Sequence, residues 1–394
     1  MSASKTKNLS FVEKIFSVRN EGTRKVIRIL GIRIQFRTPR LVYRELNARL
    51  EQAQVLVDVL QKKLEQQTLN FSRSLNEQLE QQTKALNNKM LSRLERQAQE
   101  FNSKINGIYA KLMYRMHEYC PDEKRAAAIK DWYFEYTGET LNLDNPKTFN
   151  EKIQWLKLYD STPLKTRLAD KYAVRDWVKE KIGEQYLLPL LGVWDRFEDI
   201  DFDKLPQKFV LKCNHGSGYN IIVRDKTKTD MGGVRRGITT WMNENFAFRN
   251  GFELHYSSIP RKIIAEKYIE NSDKDLFDYK FWCFDGKVKY IQFMSERYTN
   301  GAVMAFFDRN WEKQDFVYNH PVDTKIINKP DNLELMIKLA EKLSKGFSYV
   351  RVDFYDVNNR IFFGEMTFTS DSGIGRWDPD EMNLKFGQMI KLPE

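Results

Sequence analysis

Residues 208–223 read Lys208-Phe-Val-Leu-Lys212-Cys-Asn-His215-Gly216-Ser217-Gly218-Tyr-Asn-Ile-Ile-Val223. An apolar run ends in Lys212, a small polar loop follows and a second apolar run resumes, which predicts strand, tight turn and strand. The two glycines around Ser217 let backbone N–H groups converge on a phosphate, and Lys212 adds a compact positive charge. The spacing is not GxxxxGK[ST] and no helix follows, so this is not a Walker A loop. Taken alone, Gly-Ser-Gly is also ordinary turn chemistry, so the reading depends on the segments around it.

Further along stands Arg351-Val-Asp353-Phe-Tyr-Asp-Val357, a turn at Asn358-Asn359-Arg360, and then Ile-Phe-Phe-Gly364-Glu365-Met-Thr367-Phe368. Arg351, Asp353 and Tyr355 share one face of the first strand. A three-residue loop sets Asp353 opposite Glu365 and Arg351 opposite Thr367, whereas a two-residue loop puts the two carboxylates on opposite faces. Facing carboxylates repel unless a cation joins them, and Mg²⁺ takes carboxylate together with phosphate oxygens. The competing reading is a hairpin with a solvated, charged outer face. On the metal reading, Asp353→Asn should leave the metal-free protein unchanged or stabilise it by about 0–1 kcal/mol. Between these hairpins, Ile263-Ile-Ala-Glu266-Lys267-Tyr268-Ile269 and Asp278-Tyr-Lys280-Phe-Trp-Cys-Phe-Asp285-Gly-Lys read as a strand, an excursion and a hairpin of plain core.

Outward from this region, the 394-residue chain is long enough for two or three domains. It is 41% hydrophobic and 13% aromatic, ample for a large core. Its net charge of +10 is uneven: residues 1–120 carry 22 basic and 11 acidic side chains, and the remainder is nearly balanced. That argues against a uniformly basic nucleic-acid-binding enzyme. No apolar stretch nears the roughly 20 residues of a membrane span, and Val26–Phe36 is broken by Arg28 and Arg33. Cys120, Cys213 and Cys283 form no CxxC pair, and the four histidines have no paired spacing. These features point to a reduced, cytoplasmic compartment without a zinc site.

Residues 1–40 carry ten basic side chains against Glu13 and Glu21. Leu9, Val12, Ile15 and Phe16 fit one face of a short helix. Ile32, Ile34 and Phe36 alternate as a strand, onto which Lys25–Leu30 can turn back at Gly31. The arm reads either as a surface that lies on anionic lipid at the inner face of the cytoplasmic membrane, or as a solvated or self-packed basic segment. From Arg40 to Asn106 there is no Gly or Pro. Leu46, Leu50, Ala53, Val57, Leu60 and Leu64 keep heptad spacing. Phe71, Leu75, Leu79, Gln82 and Leu86 interrupt it, and Ala98, Phe101, Ile105, Ile108 and Leu112 resume it. This predicts an oligomerising coiled coil over 41–117, or two or three helices folded back on one another. Beyond Pro121, where all eight tryptophans lie, Asn145-Pro146 marks a turn ahead of a helix over Thr148–Tyr159. Strands and helices then interleave as an α+β domain over 118–394.

The order of the three segments resembles the ATP-grasp fold: Lys before a Gly-rich loop, Glu-Lys-Tyr-Ile, Arg-x-Asp, then Glu-x-polar. More narrowly, residues from about 118 to 392 resemble the TupA-like ATP-grasp family of teichuronopeptide and bacterial surface-polysaccharide biosynthesis. The stretches that carry this are Asn145-Pro-Lys-Thr-Phe-Asn-Glu-Lys, Ala169-Asp-Lys-Tyr-Ala-Val-Arg, Leu211-Lys-Cys-Asn-His-Gly-Ser-Gly and Gly364-Glu-Met-Thr-Phe. The resemblance implies ATP and Mg²⁺ as cofactors. It places Lys171 and Lys212 on the phosphates and makes Gly216, Ser217 and Gly218 a flexible flap. Glu266, Lys267, Tyr268 and Ile269 would hold adenine and Asp278 the ribose. Asp353 and Glu365 would hold the metal with Thr367 beside them, and Arg351 would act with Lys212 on the transferred group. Thr367 stands where many ATP-grasp ligases have Asn, and His215 is either a substrate contact or a loop packer. The implied activity is a carboxylate–amine ligase working through an acyl phosphate. It would join an amino acid or amine to a uronic-acid-containing capsule, lipopolysaccharide or teichuronopeptide glycan, free or lipid-linked. The alternatives are a glycosyltransferase, a label this family often carries, and a coiled-coil scaffold with a degenerate nucleotide-binding domain.

Overall fold

The computed structural model describes residues 16–21, 24–29, 32–37, 73–269, 277–295, 303–320 and 327–393, with positions 48, 51, 52, 55 and 59. The chain divides into two compact units, Met1–Met113 and Tyr114–Glu394.

In the first unit β1 (Phe16–Glu21), β2 (Arg24–Ile29) and β3 (Ile32–Arg37) form an antiparallel meander with β2 central. The alternation at Ile32, Ile34 and Phe36 thus makes a strand whose partner is the preceding segment, with Ile29 opposite Ile32. Phe16 does not sit on a helix: it opens β1 in register with Ile29. Leu9, Val12 and Ile15 lie outside the described residues. The long helix α1 (Arg73–Glu118) runs unbroken for 46 residues, roughly 69 Å at 1.5 Å per residue. Over that length the expectation of shorter helices folded back does not hold. The apolar repeat from Leu46 to Phe71 lies outside the described residues. Leu86, Met90, Leu94, Phe101 and Ile108 are exposed on α1. Leu94, Phe101 and Ile108, seven residues apart, fall within about 40° of one another on the helix.

The second unit begins with the last turn of α1. It continues through α2 (Arg125–Thr137), α3 (Phe149–Tyr159), α4 (Pro163–Ala169) and α5 (Val174–Lys181). Then come β4 (Leu190–Trp194), β5 (Phe209–Cys213), β6 (Asn220–Val223), α6 (Met231–Met242) and β7 (Ile263–Lys267). The chain goes on through β8 (Phe277–Phe284), β9 (Lys287–Ser295), β10 (Val303–Phe307), β11 (Val317–Tyr318) and α7 (Leu333–Ser344). It closes with β12 (Tyr349–Val357), β13 (Arg360–Thr367), β14 (Trp377–Asp378) and α8 (Glu381–Met389). Two antiparallel sheets organise it, one in the order β4-β7-β5-β6 and the other β10-β9-β8-β12-β13. The core beside the larger sheet is aromatic, with Phe149, Trp282, Tyr349, Trp377 and Phe386 in one cluster, and Phe386 stacks on Tyr290 at 4.6 Å.

Helix α3 starts where the sequence predicts. Thr148 caps it, accepting from the Glu151 N–H at 3.2 Å while Glu151 accepts the Thr148 N–H at 2.9 Å. Its buried face is polar as well as apolar: Asn150, Gln154 and Lys157 are all buried. The Lys157 ammonium donates to Gln154 Oε1 at 3.0 Å and the Asn250 carbonyl at 2.9 Å. It also lies 4.4 Å from the Trp132 ring. Burial pushes this lysine down to about 7, against the opposing pull of Glu253. A base whose folded pKa is depressed binds fewer protons folded than unfolded, so its stabilisation is complete above about 10.5 and lost as pH falls toward 7. Unfolding free energy should therefore rise from pH 7 to pH 10 with a slope that Lys157→Met reduces. Equal slopes in urea titrations of the two proteins would contradict this.

The hairpin β12–β13 reaches the expected pairing by another route. Val357 pairs with Arg360, so the loop is two residues, Asn358-Asn359, both left-handed at φ 50° and 60°. A regular ladder from such a turn would leave Asp353 facing Gly364. Instead the register shifts between Asp353 and Phe354: Phe354 pairs with Phe363 and Asp353 with Glu365. Gly364 is the extra residue of a β-bulge. A Cβ there would come within 3.1 Å of the Asp353 carbonyl oxygen, which explains a glycine at this point.

Candidate active site

The bulge sets Asp353 and Glu365 side by side, and Arg351 joins them. Its Nε and Nη2 donate to Asp353 Oδ1 and Oδ2 at 2.8 and 2.9 Å, and Nη2 also reaches Glu365 Oε1 and Thr367 Oγ1, each at 3.2 Å. Thr367 Oγ1 donates to Glu365 Oε1 at 3.1 Å. A second cation comes from β8, where Lys280 stands opposite Asp353. Lys280 Nζ bonds Asp353 Oδ2 at 2.6 Å and Asp278 Oδ2 at 2.7 Å. Asp353, Lys280 and Asp278 are at most 4% exposed. The like-charge repulsion expected from the sequence is thus already offset by two side chains. Lys280 is the residue that sequence reasoning passed over. Its signal was a lone lysine in the otherwise apolar run Tyr279–Phe284, where a charge must find a partner or shift its pKa.

The smaller sheet contributes a matching set. Lys212 at the end of β5 gives Nζ to Glu266 Oε2 at 2.6 Å, and Arg175 from α5 takes Glu266 Oε1 at 3.4 Å and the Leu188 carbonyl at 2.8 Å. Lys171, just ahead of α5, ties the two sheets together. Its ammonium donates to the Gly216 carbonyl and lies 3.8 Å from Glu365 Oε2. Burial lowers the Lys171 pKa, Glu365 opposes that shift, and the nearby Lys212 adds to it. Lys171 and Lys212 thus set two ammonium groups near each other, as a polyanion seat requires. Five cations (Lys171, Arg175, Lys212, Lys280, Arg351) thus meet four carboxylates.

The glycine loop differs from the implied flexible flap. Gly216 is buried, and a Cβ on it would meet Phe246 and Tyr219 at 2.8 Å. Tyr219 stacks on Trp241 at 5.1 Å, and Asn214 bonds Asp170, the Pro260 carbonyl and the Lys262 N–H. Only Ser217 and Gly218, the latter at φ 73°, stand out as exposed in the turn. His215 is buried with Nε2 3.0 Å from the Trp241 carbonyl oxygen, and burial lowers its pKa. It packs the loop. Lys267, Tyr268 and Ile269 line a cavity of 370 Å³ with Pro206, Lys208 and Val357, and Ile269 packs on an apolar cluster of Leu188, Val357 and Phe362. Glu266 itself is occupied with the two cations. Asp278, expected at a ribose, lies instead in the buried ion-pair ladder with Lys280, because both share a face of β8 two residues apart.

Residues 151–391 match the family model described as TupA-like ATPgrasp. The chain belongs to this family. No curated protein matches it. Among solved structures it is similar to D-alanine–D-alanine ligase from Bacillus anthracis in complex with ATP (20% identity, 51% of this chain and 54% of that one, TM-score 0.32). It is also similar to the D-alanine–D-alanine ligase of Helicobacter pylori (13%, 62% and 69%, 0.34). A third likeness is to the ATP-grasp ligase PsnB in complex with minimal precursor, Mg and ADP (8%, 53% and 52%, 0.31). The chain spans about half the length of the first and third of these. Family membership therefore rests on the sequence model. Within this TupA-like ATP-grasp domain, no group of three or more His, Cys, Asp or Glu side chains is placed to hold a metal among the described residues. Asp353 and Glu365 carry the hard oxygen donors that Mg²⁺ takes alongside phosphate oxygens, while both Asp353 oxygens accept from Arg351 and Lys280 in this structure.

Among the described residues no helix is long and apolar enough to cross a membrane.

Proposed function

We propose that this chain is an ATP-dependent carboxylate–amine ligase that works through an acyl phosphate. It would attach an amino acid or amine to a uronic-acid carboxylate of a surface glycan of the capsule, lipopolysaccharide or teichuronopeptide kind. The observation that carries the reading is the meeting of Arg351 and Lys171 at the Asp353–Glu365 pair, with Lys212 near Lys171 and paired to Glu266, within a TupA-like ATP-grasp domain. Complexes of structurally similar ligases that contain ATP, or Mg with ADP, support the choice of cofactors.

Adenine would enter the cavity at Lys267–Ile269, with its phosphates between Lys171 and Lys212. Mg²⁺, held by Asp353 and Glu365 with Thr367 beside them, would neutralise phosphate charge. A donor carboxylate oxygen attacks the γ-phosphorus and ADP leaves. The amine nitrogen then attacks the acyl carbon, the bond from that carbon to the phosphate oxygen breaks, and inorganic phosphate departs as the nitrogen loses its proton. Arg351 would stabilise the charge on the transferred phosphoryl group. The chemistry asks for a clamp and for exclusion of water more than for a base, which suits a site whose histidine is buried in packing. Incubation with ATP and a UDP-sugar together, plus a uronate-bearing glycan and amino acids, tests the reading by ³¹P NMR. Conversion of ATP to ADP and phosphate supports it, and consumption of the UDP-sugar favours glycosyl transfer.

The reading includes a homo-oligomer built on α1, supported by its exposed stripe at Leu94, Phe101 and Ile108. Light scattering should give a multimer for the full chain and a monomer after deletion of residues 1–117, and a monomeric full chain would refute it. The basic arm, with Arg24 opposite Arg37 and Arg28 opposite Arg33, would hold the oligomer on anionic membrane. Salt-reversible sedimentation with anionic vesicles is its signature.

A further inference from the structure

In the ladder between β8 and β12, Lys280 stands opposite Asp353 and Asp278 opposite Tyr355. Residues alternate between faces along a strand, so Asp278, Lys280 and Asp353 share one face, with the two carboxylates as diagonal neighbours. The Lys280 ammonium lies between them, 2.7 Å from Asp278 Oδ2 and 2.6 Å from Asp353 Oδ2. All three side chains are buried. Two carboxylates this far from water need a cation at hand. Asp353 Oδ2 also accepts from Arg351 Nη2 at 2.9 Å. A carboxylate oxygen offers two lone-pair sites, and on Oδ2 both are taken.

We infer that Lys280 holds the place of a second divalent ion, so that the site loads with one Mg²⁺ per nucleotide. Sites that move phosphoryl groups often clamp them with two divalent ions about 3.5–4 Å apart. Here the lysine meets the same need, a positive charge gripped by carboxylate oxygens, but it is fixed in the chain. A divalent ion brought to the Asp278 side of Asp353 would meet the Lys280 charge at contact range, where like charges repel most strongly. The single ion of the ligase reading is left with Asp353 Oδ1, whose partner is Arg351 Nε at 2.8 Å, and with the partly exposed Glu365. The inference rests on the ligase reading for that one ion, and on the ion-pair geometry alone for the lysine.

Equilibrium dialysis of the full chain against Mn²⁺, with the bound ion counted by EPR, tests it. At saturating AMP-PNP the wild type is expected to hold one Mn²⁺ per chain. Lys280→Ala uncovers Asp278 and Asp353, so it should hold one ion more than the wild type, with nucleotide or without. In nucleotide-free samples Mn²⁺ should raise its melting temperature by more than it raises that of the wild type. Two Mn²⁺ per wild-type chain with AMP-PNP, or no extra ion in Lys280→Ala, overturns the inference. Lys280→Ser, also small, serves if the Ala protein fails to fold, and the wild-type count decides without either variant. Absence of AMP-PNP binding to the wild type instead overturns the ligase reading, and the extra ion in nucleotide-free Lys280→Ala still decides the inference.

Discussion

Asp353→Asn is expected to destabilise the nucleotide-free protein by about 3–5 kcal/mol, the cost of breaking a buried ion pair from one side. Asp353 is 2% exposed and receives three hydrogen bonds from cations, two from Arg351 and one from Lys280. Neutralising it leaves Arg351 with Glu365 and Thr367, and leaves Lys280 with Asp278, in a place where water does not compensate. The sequence alone favours the opposite sign, since two facing carboxylates without a cation between them repel. The structure reverses that expectation by supplying the cations. Urea denaturation should show a lower midpoint with little change in slope. The double variant with Lys280→Met should be less destabilised than the two single changes added together, because each removes the partner the other misses. A midpoint at or above wild type in Asp353→Asn would contradict this account of the cluster.

Glu365→Gln should separate binding from stability. Its side chain is 32% exposed, and its ties include a 3.2 Å bond from Arg351, the Thr367 hydroxyl and a 3.8 Å approach to Lys171. Gln keeps an oxygen for the first two, so the apo protein should lose no more than about 1 kcal/mol, as for a partly solvated pair. With Mg-ATP, however, the rise in melting temperature expected of the wild type should be almost abolished, because that rise follows ligand affinity. A full nucleotide-induced shift in Glu365→Gln would place the metal elsewhere.

Much of the site is legible in the sequence because it lies in strands with regular alternation. Arg351 shares a face with Asp353, and Glu365 with Thr367, as the period of two requires within each strand, and Lys212 stands at a strand end before its glycine turn. What could not be read is what depends on tertiary pairing. The bulge at Gly364 corrects the register that a two-residue turn would otherwise impose, and no local pattern announces it. Lys280 belongs to a strand 73 positions from its carboxylate partner, so only the sheet order β8-β12-β13 reveals the pair. The family resemblance implies a flexible flap at the glycine loop, yet Phe246 and Trp241 from a distant segment pack there together with the adjacent Tyr219. At the other end of the chain, Phe16 satisfies a helical spacing over a few residues, yet it opens β1 in register with Ile29. The hold of Gln154, on the polar face of α3, on the Ser372 and Gly373 carbonyls is likewise invisible locally, since it spans more than two hundred residues.

The most direct test of the central claim is calorimetric titration of the full chain with Mg-AMP-PNP and, separately, with Mg-UDP-glucose. The account predicts saturable binding of Mg-AMP-PNP to the wild type, loss of at least tenfold in affinity in Lys212→Ala, and no binding of the UDP-sugar. Binding of UDP-glucose without Mg-AMP-PNP, or Mg-AMP-PNP affinity untouched by Lys212→Ala, would contradict it.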